Sequence, residues 1–227
     1  MLQDLTDIFA APGALFTRLK EKPYCWLPLL LLVVSTVAST AGYLLLNDEG
    51  YVRDQIIEQA LRNRDLPDEA RRNVEQSIDN MSLQNQALIS CMAILIAVPA
   101  ITALYAGYLT LASKMGVRQF SFRHWFALSS WTAMPSVLAA VVAIIVLLTD
   151  ANGQVSQQEM QIFSITGLLG INTDSQALQQ FSLMSLWALV LAALGYSNWT
   201  GKSIGSAIAV TWAPYLLIYG GIALAAL

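Results

Sequence analysis

Histidine and cysteine are nearly missing from this chain. The single histidine, His124, cannot build a multi-histidine metal centre, and it is the only imidazole that could serve a serine nucleophile. The two cysteines, Cys25 and Cys91, make no disulfide framework and belong to no CxxC or Cys/His cluster. Charge is also thin. Only 12% of residues are Asp, Glu, Lys or Arg, against about 25% in soluble domains. A net charge of −3 with no basic stripe excludes a nucleic-acid footprint. These absences point to no enzyme, no cofactor and no metal.

What the chain has instead is apolar length. Hydrophobic residues make up 56% of it. The stretch RLKEKPYCWLPLLLLVVSTVASTAGYLLL sets three cations before an uncharged run from Trp26 to Leu46. A cleaved signal has a core of about 7–15 apolar residues, whereas about 20 span the hydrocarbon of a bilayer. The run has the length of an anchor. Four more uncharged runs follow, at about 86–113, 125–149, 178–195 and 204–227. All 12 basic and 15 acidic residues fall outside the five runs. A bilayer imposes that segregation, because a charge at its centre costs several kcal/mol. Backbone groups in lipid must bond within their own segment, so the runs are helices. The expectation is an all-α, polytopic membrane bundle of five transmembrane helices over 26–227, preceded by a leader over 1–25.

The leader carries Leu5, Ile8 and Phe9 before Pro12, and Leu15, Phe16 and Leu19 after it, with basic residues at its end. That pattern suits an amphipathic helix lying in the membrane interface. The loop 47–85 is read as a helical, extracytoplasmic hairpin. Val52, Ile56 and Ala60 share one face, and Ala70, Val74 and Ile78 another. It holds five arginines against nine acids. The other loops set the orientation. Lys114, Arg118 and Arg123 lie between runs two and three with no acid, Lys202 lies between four and five, and the loop between three and four has no Lys or Arg. The positive-inside rule then puts the N-terminus in the cytoplasm and the C-terminus outside.

Three features carry candidate functions. Lys114, Arg118, Arg123 and His124 form a basic membrane edge that sets topology, or contacts anionic lipids or a membrane-protein partner. Pro99, Pro135 and Pro214 remove helical hydrogen bonds and are candidate kinks. Small residues at four-residue spacing, such as Ala38/Gly42 and Ala103/Gly107, allow close helix packing or self-association. Gly201-Lys202-Ser203 imitates the tail of a phosphate loop, but the glycine needed at 196 is Tyr196. The spans hold hydroxyls and no carboxylate, which argues against an ion-coupled transporter.

DIFAAPGALFTRLKEKP resembles the opening of the bacterial branch of the Yip family, the Ypt/Rab-interacting proteins, through Pro12, Phe16, Arg18 and Lys20. QFSFRHWFALSSWTAMPSVLAAVV is similar to the family's third-span entry through Phe122, Arg123 and Pro135. The resemblance implies a five-helix integral membrane protein. Eukaryotic members act in vesicle traffic and engage Rab GTPases, but their Asp-Leu-Tyr-Gly-Pro motif and long cytosolic domain are not present here. The combined expectation is a non-enzymatic scaffold or adaptor of the bacterial cytoplasmic membrane. The alternative is a small channel or transporter with a polar path between kinked helices.

Overall fold

The computed structural model describes residues 2–61, 66–114, 119–164 and 182–225, with side chains to 221. Among the described residues the regular structure is helical, joined by turns and short connections, with one isolated bridge between Ser164 and Ser182. Two short helices open the chain, α1 (Leu2–Ala10) and α2 (Pro12–Glu21). The long α3 (Trp26–Leu46) follows, then the hairpin α4 (Glu49–Leu61) and α5 (Asp68–Asp79), then α6 (Leu83–Ser113). The third apolar run is two helices, α7 (Phe122–Thr132) and α8 (Met134–Thr149). A single turn, α9 (Gln157–Met160), precedes α10 (Leu183–Thr200) and α11 (Ile204–Ala225).

Four segments are long and apolar enough to cross a membrane: α3, α6, the combined α7–α8 and α11. Little of their apolar surface is covered by protein. Ile96, Leu104 and Leu217 are among the exposed side chains, which suits a lipid surround. The protein is therefore a multi-pass membrane protein. Helix α10 differs in kind. It buries Leu189, Leu191, Ala192, Ala193, Gly195, Tyr196 and Trp199, and packs on α11, α2, α8 and α7. It starts at residue 183 and continues past Gly195 to Thr200, because Tyr196 and Trp199 find a core to enter. Gly201 ends it at φ +73°, a left-handed cap that favours glycine, so Gly201-Lys202-Ser203 is a turn between helices.

The prolines fall where their chemistry permits. Pro12 and Pro135 stand in the first turns of α2 and α8, where a missing N–H costs nothing. Pro135 disfavours helical backbone before it, and the third run breaks at Ala133. Pro99 and Pro214 lie inside α6 and α11.

Part of the leader's apolar stripe is turned into the protein, while Leu2 and Phe9 stay exposed. Ile8, Leu15, Phe16 and Leu19 are fully buried against Trp125, Leu191, Tyr196 and Trp199. Packing against large rings covers the Ile8, Leu15, Phe16 and Leu19 part of the stripe that the sequence pattern assigned to the bilayer interface.

At the opposite end, the acidic loops lock together. Asn47 clamps Val155, its Nδ2 donating to the Val155 carbonyl at 3.1 Å and its Oδ1 accepting from the Val155 N–H at 3.1 Å. Asp48 N–H donates to the Gly153 carbonyl at 2.6 Å. Val52, Leu83, Ala87 and Leu147 join Tyr43 and Leu44 in a second core beneath. Ser156 and Glu159 cap α9 reciprocally, as the capping-box spacing predicts. Both cysteines are free thiols.

Candidate functional site

Four chain segments meet at the basic end: the leader, the end of α6, the start of α7 and the α10–α11 turn. The leader turns at Ala11–Pro12, and this brings α1 back along α2. Asp4 is then placed to collect three donors. Its Oδ1 accepts from Arg18 Nε at 3.0 Å and Nη2 at 2.6 Å, and its Oδ2 accepts from the Tyr24 hydroxyl at 2.7 Å. Arg18 also donates to Asp7. Burial pushes the Asp4 carboxyl up, but the donors and positive charge around it, the bonds from Tyr24 and Arg18 foremost, together hold the group below the ordinary carboxylate value. Burial and the bond to Asp4 push the Tyr24 phenol up.

Three buried tryptophans then tie the segments together, each through its indole N–H. Trp199 of α10 donates to the Phe16 carbonyl in α2 at 2.8 Å. Trp131 of α7 donates to the Tyr24 carbonyl at 3.1 Å and meets the Tyr24 ring edge-on, with centroids 5.5 Å apart. Trp125 donates to Ser113 Oγ at the end of α6 at 3.2 Å. A buried indole with no partner would be costly, so these bonds fix how the segments fit. The rings also pack on one another. Trp125 lies 5.3 Å from both Tyr196 and Trp199, and Phe120 lies 5.4 Å from Trp199.

Cations surround this aromatic cluster. Lys20 Nζ stands 5.6 Å from the Phe120 ring centroid, and Lys202 Nζ stands 5.9 Å from that of Tyr196. Lys114 and Arg123 are exposed on the same end. Among the described residues, no carboxylate pairs with Lys20, Lys114, Arg123 or Lys202, while Asp4 and Asp7 are held by Arg18.

The sequence-derived candidates are partly brought together. Lys114, Arg123 and His124 share this end. Arg118 lies outside the described residues. His124 is half-buried, with Nδ1 2.8 Å from Ser121 Oγ and its ring beside Phe120 and Trp199. It helps to pack the platform as well as edge it. Phe16 enters the core, whereas Phe122 stays exposed and stacks on Phe126 at 5.7 Å. Pro135 sits at the helix break, one helix length from Phe122. Sequence reasoning missed Asp4, Tyr24, Trp125, Trp131 and Trp199. The available signal was the clustering of Trp and Tyr near the ends of the apolar runs, where membrane proteins concentrate them.

The Yip1 domain matches residues 6–225. The chain belongs to the Yip1 domain family. No curated protein and no solved structure matched it. The Yip1 match begins inside α1, so the docked leader lies within the domain together with the apolar helices.

Proposed function

We propose that this Yip1-domain protein is a non-enzymatic scaffold or adaptor of the bacterial cytoplasmic membrane, crossing it five times. The N-terminus lies in the cytoplasm and the C-terminus outside. Helix α10 is the fifth crossing. Its 18 residues extend about 27 Å, from the acidic end beside Phe163 to the aromatic platform. Supporting this orientation, Lys20, Lys114, Arg123 and Lys202 gather at one end and the loop between α8 and α10 carries no Lys or Arg, whereas the arginines of the 47–85 loop run against it.

The observation that carries the scaffold reading is the set of cations with no carboxylate partner among the described residues, around a platform locked by three indole hydrogen bonds. A fixed cationic rim at the membrane surface attracts acidic groups, each cation contributing about 1 kcal/mol beside an anionic leaflet. Its ligands are anionic lipid headgroups together with an acidic face on a membrane partner or a second copy. The indole donors at this end are spent on structure, and the hydroxyl–imidazole pair here, Ser121 Oγ 2.8 Å from His124 Nδ1, has no carboxylate among the described residues to orient the ring, which favours binding over catalysis.

Crosslinking in native membranes, followed by gentle extraction and mass spectrometry, tests this. Wild-type protein carries a stoichiometric partner. A variant with Lys114→Gln, Arg118→Gln and Arg123→Gln, which spares the half-buried His124, loses that partner while keeping its melting temperature. Identical crosslinks from both proteins overturn the assignment, and solute flux through reconstituted liposomes replaces it with the channel reading.

A further inference from the structure

The leader has two faces, and the platform covers one of them. Asp4 and Ile8 are on the covered side of α1, the first held by Arg18 and Tyr24, the second fully buried. Leu2, Thr6 and Phe9 stand on the opposite side, at i, i+4 and i+7, and all three are exposed. Leu2 is 84% exposed and Phe9 38%. Ala10, Ala11, Gly13 and Ala14 carry the exposed surface across the Ala11–Pro12 turn into α2.

Charge is kept off this outer face. Between Leu2 and Thr17 the only charged residues are Asp4 and Asp7. Both accept from Arg18, and their side chains are 12% and 15% exposed. The outer hydroxyls are also satisfied within the leader. Thr6 donates to the Gln3 carbonyl at 2.8 Å and Thr17 to the Gly13 carbonyl at 2.9 Å, so neither depends on water. A helix face turned to water ordinarily carries charge, and this one carries Leu2 and Phe9 instead. The exposed charge next to it is Arg18, whose side chain is 44% exposed.

The depth of this face follows from Tyr24. Its hydroxyl donates to Asp4 at 2.7 Å, which fixes α1 beside the entry to α3. Helix α3 begins two residues later at Trp26, and its 21 residues rise about 31 Å, the thickness of the hydrocarbon layer. Its first turn therefore marks the edge of that layer, and α1 is tied to that edge. Trp26, Leu30 and Val34 are exposed at i, i+4 and i+8, so the lipid-facing stripe of α3 starts where α1 is held.

We propose that α1 lies in the leaflet at the basic end, with Leu2 and Phe9 seated among lipid headgroups and the tops of acyl chains. The leader is thus sandwiched, one face on the aromatic platform and the other in lipid. Arg18 keeps two carboxylates on the inner side and presents its own exposed edge to lipid phosphates. The occupant is the bilayer surface itself. The proposal rests on the crossing by α3 and depends neither on the scaffold reading nor on the orientation of the chain.

The test uses the full chain with Cys25→Ser and Cys91→Ser, reconstituted in phosphatidylcholine–phosphatidylglycerol vesicles. Leu2→Cys, Phe9→Cys and, as an exposed charged reference, Glu21→Cys are each labelled with a nitrobenzoxadiazole fluorophore. Labels at 2 and 9 should be quenched by lipid carrying a doxyl group near the top of its acyl chain. Iodide in the water should quench them at least about twofold less than the label at 21. Iodide quenching at 2 and 9 as strong as at 21 would put the face in water and overturn the proposal. Quenching by neither agent would mean that protein, a second copy or a partner, covers the face, and this also overturns it. Phe9→Asp should abolish the doxyl quenching of the label at 2, whereas Phe9→Leu should keep it. Doxyl quenching that survives Phe9→Asp would show that this face does not hold α1 in the leaflet.

Discussion

Tyr108 donates its hydroxyl to the Val210 carbonyl at 2.8 Å, and Val210 stands four residues before Pro214 in α11. Proline has no N–H, so that carbonyl lacks its helical donor. The next carbonyl, of Thr211, accepts from Tyr105 at 3.0 Å. Two tyrosines of α6 thus take over where Pro214 interrupts α11. Tyr108→Phe should cost about 1–3 kcal/mol, because it leaves a carbonyl unpaired in an apolar setting. Pro214→Ala restores the intrahelical donor, so the same tyrosine change should cost less in that background. A double-mutant cycle on thermal unfolding in detergent checks this coupling. Equal costs in both backgrounds would show that the carbonyl is not the shared partner.

The leader's attachment rests on Trp199, whose indole reaches the Phe16 carbonyl across 183 positions of sequence. Trp199→Phe keeps most of the ring packing and removes this bond. Its expected cost is about 1–3 kcal/mol, the loss of a buried hydrogen bond. The effect should be local. Trypsin should cut sooner at Arg18 and Lys20, while the far end, clamped by Asn47 and Val155, keeps its resistance. Trp199→Ala should cost more, about 3–5 kcal/mol, through the cavity it leaves under α2. Unchanged leader cleavage in both variants would mean that α2 is held by other contacts.

The apolar helices were legible because a bilayer writes its demand in one variable, the absence of charge. The run from Trp26 to Leu46 coincides with α3, and Pro135 marks the place where the third run breaks. The basic edge was legible as a cluster of Lys, Arg and His. What covers the leader was not. An amphipathic stripe states that one face is apolar, and lipid and buried protein satisfy it equally well. Asp4, Arg18 and Tyr24 are separated by 14 and 20 residues from one another's partners, so only the Ala11–Pro12 turn reveals them as one node. The orphaned Val210 carbonyl could be deduced from Pro214, but its tyrosine donor on another helix could not.

Acid should release the leader. Asp4 is held below its unfolded value, so its charged form is favoured by folding. That contribution is present above the unfolded carboxylate pKa of about 3.9 and is lost as pH falls through the lower folded value. Docking of α1 and α2 should therefore persist at neutral pH and weaken below about pH 4. Tryptophan fluorescence and limited proteolysis across that window would follow it, with a protease that works in acid. Asp4→Asn should abolish the pH dependence and leave the leader looser at pH 7. A wild-type transition that the Asn variant retains would assign the acid sensitivity to other carboxylates.

The α7–α10 crossing makes the sharpest steric prediction. A Cβ built on Gly195 would stand 2.4 Å from Leu128 Cδ1 and 3.2 Å from its Cδ2. Leu128 is fully buried in the same core as Trp125 and Tyr196, so its side chain has little room to withdraw. Gly195→Ala should therefore cost about 1–3 kcal/mol, the usual price of overpacking, despite alanine's better helix propensity. Leu128→Ala alone should also destabilise, through the cavity it leaves. Combined, the two changes should partly cancel, since the new methyl enters the space the leucine vacates. Melting temperatures of the four proteins in one detergent decide the matter. A double variant as unstable as the sum of its parts would show that Gly195 is required for a reason other than its contact with Leu128.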